Sequence, residues 1–292
     1  MHIFLSTRQL SINMEMTPNI DLPNLNYQQL GEGQDIILIH GLFGSLENLN
    51  MVAKVLSQFY KVTSIDVRNH GSSFHHKGMG YPQLALDVFR LLDFLSIQTC
   101  CLLGHSMGGK IAIQMALEST KVSCPITIEK MIVADISPVP YPPHHERIIQ
   151  GLKSIDLSKV KSRKDADIQL AEYVDNLGVR QFLLRNLQSN EHSQFSFKCD
   201  IDNIKNGYDQ IMQGISLNSS EVDDNREQTT PYQGNVLFIK GGQSDYILPE
   251  HKAAISAILP NSKAKIIQGA GHWLHAEKTV AFNKIVLEFL EG

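Results

Sequence analysis

Between an apolar run, Cys100–Leu103, and a segment with helical spacing from about Met107 to Ser119, the chain reads Gly104-His105-Ser106-Met107-Gly108-Gly109. Few arrangements satisfy that text. A strand must reverse sharply into a helix, with small residues where the two elements would collide and Ser106 held at the turn, a G-x-S-x-G nucleophile elbow. The helix that begins after Ser106 aims its N-terminal amides at the point where negative charge develops. A phosphate-cradling loop does not fit, because Gly109-Lys110 is followed by Ile111 rather than Ser or Thr. The plain alternative is a glycine turn that only packs a helix on a sheet, and the partners of Ser106 decide between the two.

Around this turn, short apolar runs alternate with amphipathic ones. Ile36–Ile39, Val62–Ile65, Cys100–Leu103 and Met131–Ala134 have the length of buried strands. Between them lie helical patterns, one after Ser45 and one with Pro82 in its first turn. This rhythm predicts an α/β fold with a mostly parallel sheet flanked by helices. It breaks at the proline-rich segment Ser137–Pro143, which suits neither helix nor central strand. The text from Glu146 to Gln213 is polar and helical, with Asp167–Gln188 at helical spacing, and Ser219–Tyr232 suits a loop. Strands at Val236–Ile239 and Ala264–Ile267 and helices at Pro249–Leu259 and Thr279–Leu290 then follow. The expected organisation is a core of residues 1–139 and 233–292, with residues 140–232 inserted as a helical cap over the strand ends.

A chain of 292 residues buries such a core without staples. Its net charge of −4 offers no basic excess for a phosphate backbone, so the expected partner is a small molecule and not nucleic acid. Cys100, Cys101, Cys124 and Cys199 have no metal-binding spacing and fit a reducing compartment. Met1–Glu15 has neither a long apolar stretch nor a small-residue cleavage site, which argues against a secretory leader. No apolar run is long enough to span a bilayer. A cytoplasmic monomer or small homo-oligomer is the expectation. The pairs His75-His76 and His144-His145 lack carboxylates at ligand spacing and read as loop residues, with no metal.

The partners of Ser106 have their own signals. His40-Gly41-Leu42-Phe43-Gly44 follows the first clear strand, so the amides of Leu42 and Met107 are candidates for an oxyanion hole. His272, in Ala270-Gly271-His272-Trp273 after the last strand, is the candidate base, preferred over His275 by the glycine before it. Two aspartates compete to orient it. Asp245 lies 27 residues before His272, just past a strand; Asp135 ends the strand beside that of Ser106, and both keep the order Ser, Asp, His. Asp66 reads as a turn brace paired with Arg68. Phe43 and Met107 are plausible apolar walls for a substrate, and Tyr141 and Phe182 are further candidates from the insertion.

Taken together, His40–Ser45, Asp66–Ser73, Gly104–Lys110, Asp135-Ile136-Ser137-Pro138-Val139 and Gly271–Lys278 resemble the YbfF-type bacterial esterases of the α/β-hydrolase superfamily. The similarity runs from about Leu38 to Leu290 and is weakest in the insertion. It implies cofactor-free hydrolysis of short- to medium-chain acyl esters, and of acyl-CoA thioesters, by a serine carboxylesterase with an acyl-enzyme intermediate. It favours Asp135 as the acid, whereas the general fold pattern favours Asp245, and both stay candidates. A carbon–carbon lyase or hydrolase of the same fold, similar to a menaquinone-pathway synthase, is an alternative. It would need cations to grip a carboxylate, and Arg147, Arg180 and Arg185 are available. A ligand-binding receptor with residual hydrolysis is another.

Overall fold

The structure, a computed structural model, describes residues 22–192, 194–217 and 228–292. The leader reading of Met1–Glu15 and most of the polar stretch Ser219–Tyr232 lie outside the described residues.

The first half of the core runs β1 (Tyr27–Leu30), β2 (Gln34–Ile39), a 3-10 turn into α1 (Asn50–Leu56), and β3 (Tyr60–Ile65). It continues through α2 (Tyr81–Phe94), β4 (Thr99–His105), α3 (Met107–Glu118) and β5 (Thr127–Ala134). The chain then leaves the sheet for α4 (Glu146–Ser154), α5 (Arg163–Leu170) and α6 (Leu177–Leu183). A hairpin of β6 (Leu187–Ser189) and β7 (Phe195–Phe197) follows, with α7 (Ile201–Asn206) and α8 (Tyr208–Met212). It returns through β8 (Asn235–Gly241), α9 (Lys252–Ile258), β9 (Ser262–Ile267), α10 (Leu274–Glu277) and α11 (Thr279–Glu291). The seven-stranded sheet has the order β1-β3-β2-β4-β5-β8-β9; β1 is antiparallel to β3 and the remaining pairs are parallel.

Why the strand text is apolar throughout follows from this layering, since both faces of a parallel sheet are covered. Ile37, Ile39, Leu102, Met131, Val133 and Phe238 point into a core with α2 and α3. Their neighbours Ile36, Leu38, Leu103, Ile132, Ala134 and Leu237 point the other way, onto α1 and α11. Strand periodicity of two thus divides each apolar run between two cores.

Three features differ from the sequence reading. An antiparallel edge strand, β1, precedes the first strand expected. The insertion carries the β6–β7 hairpin as well as helices. The helical spacing of Asp167–Gln188 is split into α5 and α6, because Asn176 accepts a hydrogen bond from the Val179 amide and so starts a new helix. Among the described residues no helix is long and apolar enough to cross a membrane.

The insertion is tied at its base. Its entry and exit segments bond to each other, Tyr141 N to Met212 O at 2.9 Å and Ile215 N to Pro138 O at 2.6 Å. From the core, the Tyr81 hydroxyl donates to Ile211 O at 2.7 Å and the buried Lys110 ammonium to Gln213 O at 2.6 Å. Asp66 braces a turn, although Arg68 is not its partner. It accepts from the Leu46 and Ser72 amides and the Asn26 side chain, whereas Arg68 is drawn to Asp87, an anion buried beside it, at 2.7 Å from Nη2.

The elbow depends on close backbone approach. A Cβ on Gly104 would stand 2.1 Å from Gly108 O, and one on Gly108 would stand 2.2 Å from Ile39 O. Neither gap is closed by rotating a side chain. Gly104→Ala is therefore expected to lower unfolding free energy by at least about 2 kcal/mol, measured by urea denaturation. An unchanged midpoint would show that the strand–helix contact is looser than the structure has it.

Candidate active site

The ends of β2, β4, β5, β8 and β9 converge on one point below the insertion. Ser106 follows β4 with φ 54° and ψ −123°, a conformation a serine adopts only under constraint. Its amide is held by Ala134 O at 2.9 Å. Five non-glycine residues among those described have positive φ, and Phe43, Ser106 and Asp135 of this site are three of them. Such strain costs roughly 1–3 kcal/mol per residue and persists where the surroundings over-determine it.

From Ser106 a line of hydrogen bonds runs inward. His272 Nε2 lies 3.0 Å from Ser106 Oγ, and His272 Nδ1 lies 2.8 Å from Asp135 Oδ2. Asp135 is completely buried, and its other donors are the Gly241 amide at 2.9 Å and the Ser244 hydroxyl. Asp245 is exposed, and among the described residues nothing bonds its carboxylate to His272. The reason lies in the loop after β8, where Ser244 turns inward to Asp135 and its neighbour is left facing outward.

Several contacts hold the imidazole of His272. Tyr246 stacks on its ring at 4.1 Å and 24°. The hydroxyl of Tyr141 donates to Tyr246 O at 2.5 Å while accepting from the Ser137 amide at 2.9 Å. Tyr141 therefore braces the loop carrying Tyr246 and is not part of the cavity wall; its ring lies 4.8 Å from the Lys110 ammonium. Behind the site, His105 Nε2 donates to the backbone oxygen of His272 at 2.8 Å.

The loop after β2 is held by two more imidazoles. His40 Nε2 accepts from the Val67 amide at 3.0 Å, and His70 Nε2 accepts from the Phe43 amide at 3.1 Å. Each ring can accept only if it is neutral, and burial enforces this. It lowers the pKa of His40, pushes that of His70 down to about 3 and that of His275 to about 4, and holds His105 well below the usual histidine range. Among the described residues the amides of Leu42 and Met107 have no acceptor within the chain. Both stand beside Ser106, on the β2 loop and at the N-terminus of α3.

Above Ser106 is a cavity of about 270 Å³. Phe43, Ile148, Val179, Phe182, Leu183 and Trp273 form its apolar walls, so Phe43 and Phe182 are both wall residues. Met107 is buried beneath Ser106 and is not a wall residue. Among the described residues the walls carry no Lys, Arg, Asp or Glu. Sequence reasoning missed Ser244, Tyr246 and the wall histidines His144 and His145. The loop Gly242–Tyr246 was visible as a strand end, but nothing in its text tells which side chain turns inward.

Two expectations follow. Asp135→Asn should lower kcat by about three to four orders of magnitude through loss of the imidazole's partner, while Asp245→Asn should stay within about twofold, both read with a chromogenic ester. The reverse order would make Asp245 the acid. The buried histidines also set acid stability. Their pKa values are lower in the folded chain than the unfolded value of about 6.5, so the unfolded chain binds more protons and stability falls with pH. The window runs from about pH 6.5 down to the folded values near 3 and 4, with a slope approaching ~1.4 kcal/mol per pH unit for each such histidine. Urea midpoints that stay level between pH 7 and pH 5 would contradict it.

Comparison with known proteins agrees with this architecture. A family profile described as "alpha/beta hydrolase fold" matches residues 36–279. The mouse (Mus musculus) sn-1-specific diacylglycerol lipase ABHD11 is 36% identical over 263 residues, which is 87% of this chain and 80% of that protein. Esterase YbfF of Escherichia coli is 32% identical over 257 residues, 87% of this chain and 92% of the other. The solved structure of a marine microorganism esterase superimposes with a TM-score of 0.83 at 37% identity, covering 91% of this chain and 99% of that one. The chain belongs to the α/β-hydrolase family, alongside the YbfF-type esterases.

Proposed function

We propose that this chain is a serine carboxylesterase acting on short- to medium-chain acyl esters. The observation that carries the reading is the line Ser106–His272–Asp135, with separations of 3.0 and 2.8 Å, opening into an apolar cavity. His272 Nε2 takes the proton of Ser106 as Oγ attacks the ester carbonyl. The oxyanion so formed is stabilised by the amides of Leu42 and Met107, each such donor typically contributing about 10²–10³ in rate. His272 then protonates the departing alcohol, leaving an acyl-Ser106 ester. Water, activated by the same imidazole, releases the acid. Asp135 holds His272 with Nδ1 protonated and offsets the positive charge on the imidazolium.

Cavity size and lining support a small, uncharged acyl group. A volume of about 270 Å³ lies just below the range of small-molecule sites, which run roughly from 300 to 1,000 Å³. Acyl thioesters, including acyl-CoA, suit the same chemistry, and the name of the mouse relative makes glycerol esters a further class to assay. A lyase acting on a carboxylate-bearing substrate is less well supported. Arg180 is paired with Asp167 at 2.7 Å, Arg147 and Arg185 are exposed, and none of the three lines the cavity. A receptor with residual hydrolysis would need no turnover, which the assay decides.

Hydrolysis of p-nitrophenyl esters from acetyl to palmitoyl is expected to peak at one short or medium chain length. Ser106→Ala should remove the activity by several orders of magnitude. Activity retained in that variant, or absent from the wild type with every ester, would overturn the proposal.

A further inference from the structure

His145 opens α4 and stands in the cavity wall, with its ring 6.3 Å from that of Phe43. Its hydrogen bonds determine which nitrogen carries the proton. The hydroxyl of Tyr208 accepts from the amides of His144 at 3.0 Å and His145 at 2.8 Å. Both lone pairs of that oxygen are then engaged, and its own hydrogen is left for His145 Nδ1 at 3.0 Å. Nδ1 is therefore the acceptor, and the network assigns the proton to Nε2. Burial, with His144 and His272 nearby, pushes the pKa of this ring down to about 3, so it stays neutral at physiological pH. Among the described residues nothing in the chain accepts from Nε2–H, nor is that nitrogen sealed from solvent. It is a neutral donor without a protein partner, on the wall of a largely apolar cavity.

A chain of ring contacts connects it to His272. The His144 ring is 4.0 Å from that of His145 and 5.7 Å from that of Tyr246, which in turn stacks on His272. His144 Nε2 accepts the Tyr246 hydroxyl at 2.7 Å. His145 thus belongs to the side occupied by His272, the residue that protonates the departing alcohol. On the basis of the esterase reading above, we propose that His145 is a specificity-determining residue whose Nε2–H binds an acceptor oxygen in the leaving alcohol. The favoured substrates are then esters of alcohols that carry a further oxygen near the ester bond, over esters of plain alkanols. Tyr208 is the positioning residue that keeps the proton on Nε2.

The test compares butyl butyrate with 2-methoxyethyl butyrate, two esters that differ by one methylene-to-oxygen exchange in the alcohol. Each rate is divided by the hydroxide rate of the same ester to remove the difference in reactivity. Wild type is expected to favour the methoxyethyl ester by about five- to tenfold in kcat/KM, the range of one hydrogen bond. The preference should lie mainly in KM, because the contact exists in the bound ester as well as the transition state. His145→Phe should bring the ratio close to one, and His145→Gln, which keeps a side-chain N–H, should restore part of it. Tyr208→Phe should reduce the ratio by leaving Nδ1 free to take the proton. A purely structural role would slow both esters alike and leave the ratio unchanged, which would overturn the proposal. So would a His145-dependent preference that appears only when the oxygen is moved to the acyl chain. Either result leaves the esterase reading standing, whereas failure of wild type to hydrolyse either ester overturns both.

Discussion

A carboxylate with no contact with water organises the centre of this molecule. Burying such a group is expensive unless its lone pairs are matched by donors. Asp135 finds three, the Gly241 amide, the Ser244 hydroxyl and His272 Nδ1. Gly241 ends β8, Ser244 lies in the loop after it and His272 follows β9, so meeting the demand of one side chain draws the ends of β5, β8 and β9 together. The line from Asp135 to Ser106 is the outward continuation of that arrangement. The positive φ at Asp135 and Ser106 is held by the same convergence, with each amide bonded to the adjacent strand.

The insertion also bears on the position of this centre. Asn186, buried between its hairpin and the core, donates to Phe43 O at 2.6 Å and so helps fix the loop that carries the Leu42 amide. On the opposite side, His144 holds the Tyr246 hydroxyl, and Tyr246 lies flat on His272. Donor loop and proposed base thus both take part of their position from residues outside the sheet. A shift of the insertion would disturb the reacting groups as well as the cavity above them.

Neutral imidazole recurs throughout. His40 and His70 each bond backbone groups through both ring nitrogens, His105 and His145 each bond a backbone or hydroxyl group through one, and burial keeps all four uncharged. An uncharged ring satisfies buried polar groups without adding a charge beside His272, where a second cation would oppose formation of the imidazolium. Four of the twelve histidines of this sequence have that structural use.

Much of this was legible in the sequence. The elbow around Ser106 was readable because close backbone contact admits only glycine at 104 and 108, and the layered α/β core because apolar runs of strand length record burial on two faces. His272 stood out through its place after the last strand. These are local constraints, written in consecutive residues. The choice between Asp135 and Asp245 was not of that kind, since both end strands in the expected order. What separates them in space is that Ser244 turns inward while Asp245 faces water. Likewise no sequence pattern joins Tyr208 to His145 or Tyr246 to His272. Those contacts bring together side chains far apart in the chain, and they exist only because the folded insertion meets the strand ends. Sequence by itself determined the fold class, the turn and its serine. Tertiary packing decided which aspartate meets His272, the clamp on the imidazole and the lining of the cavity, because hydrogen bonds and ring contacts depend on where backbones converge, and that convergence is a property of the whole fold.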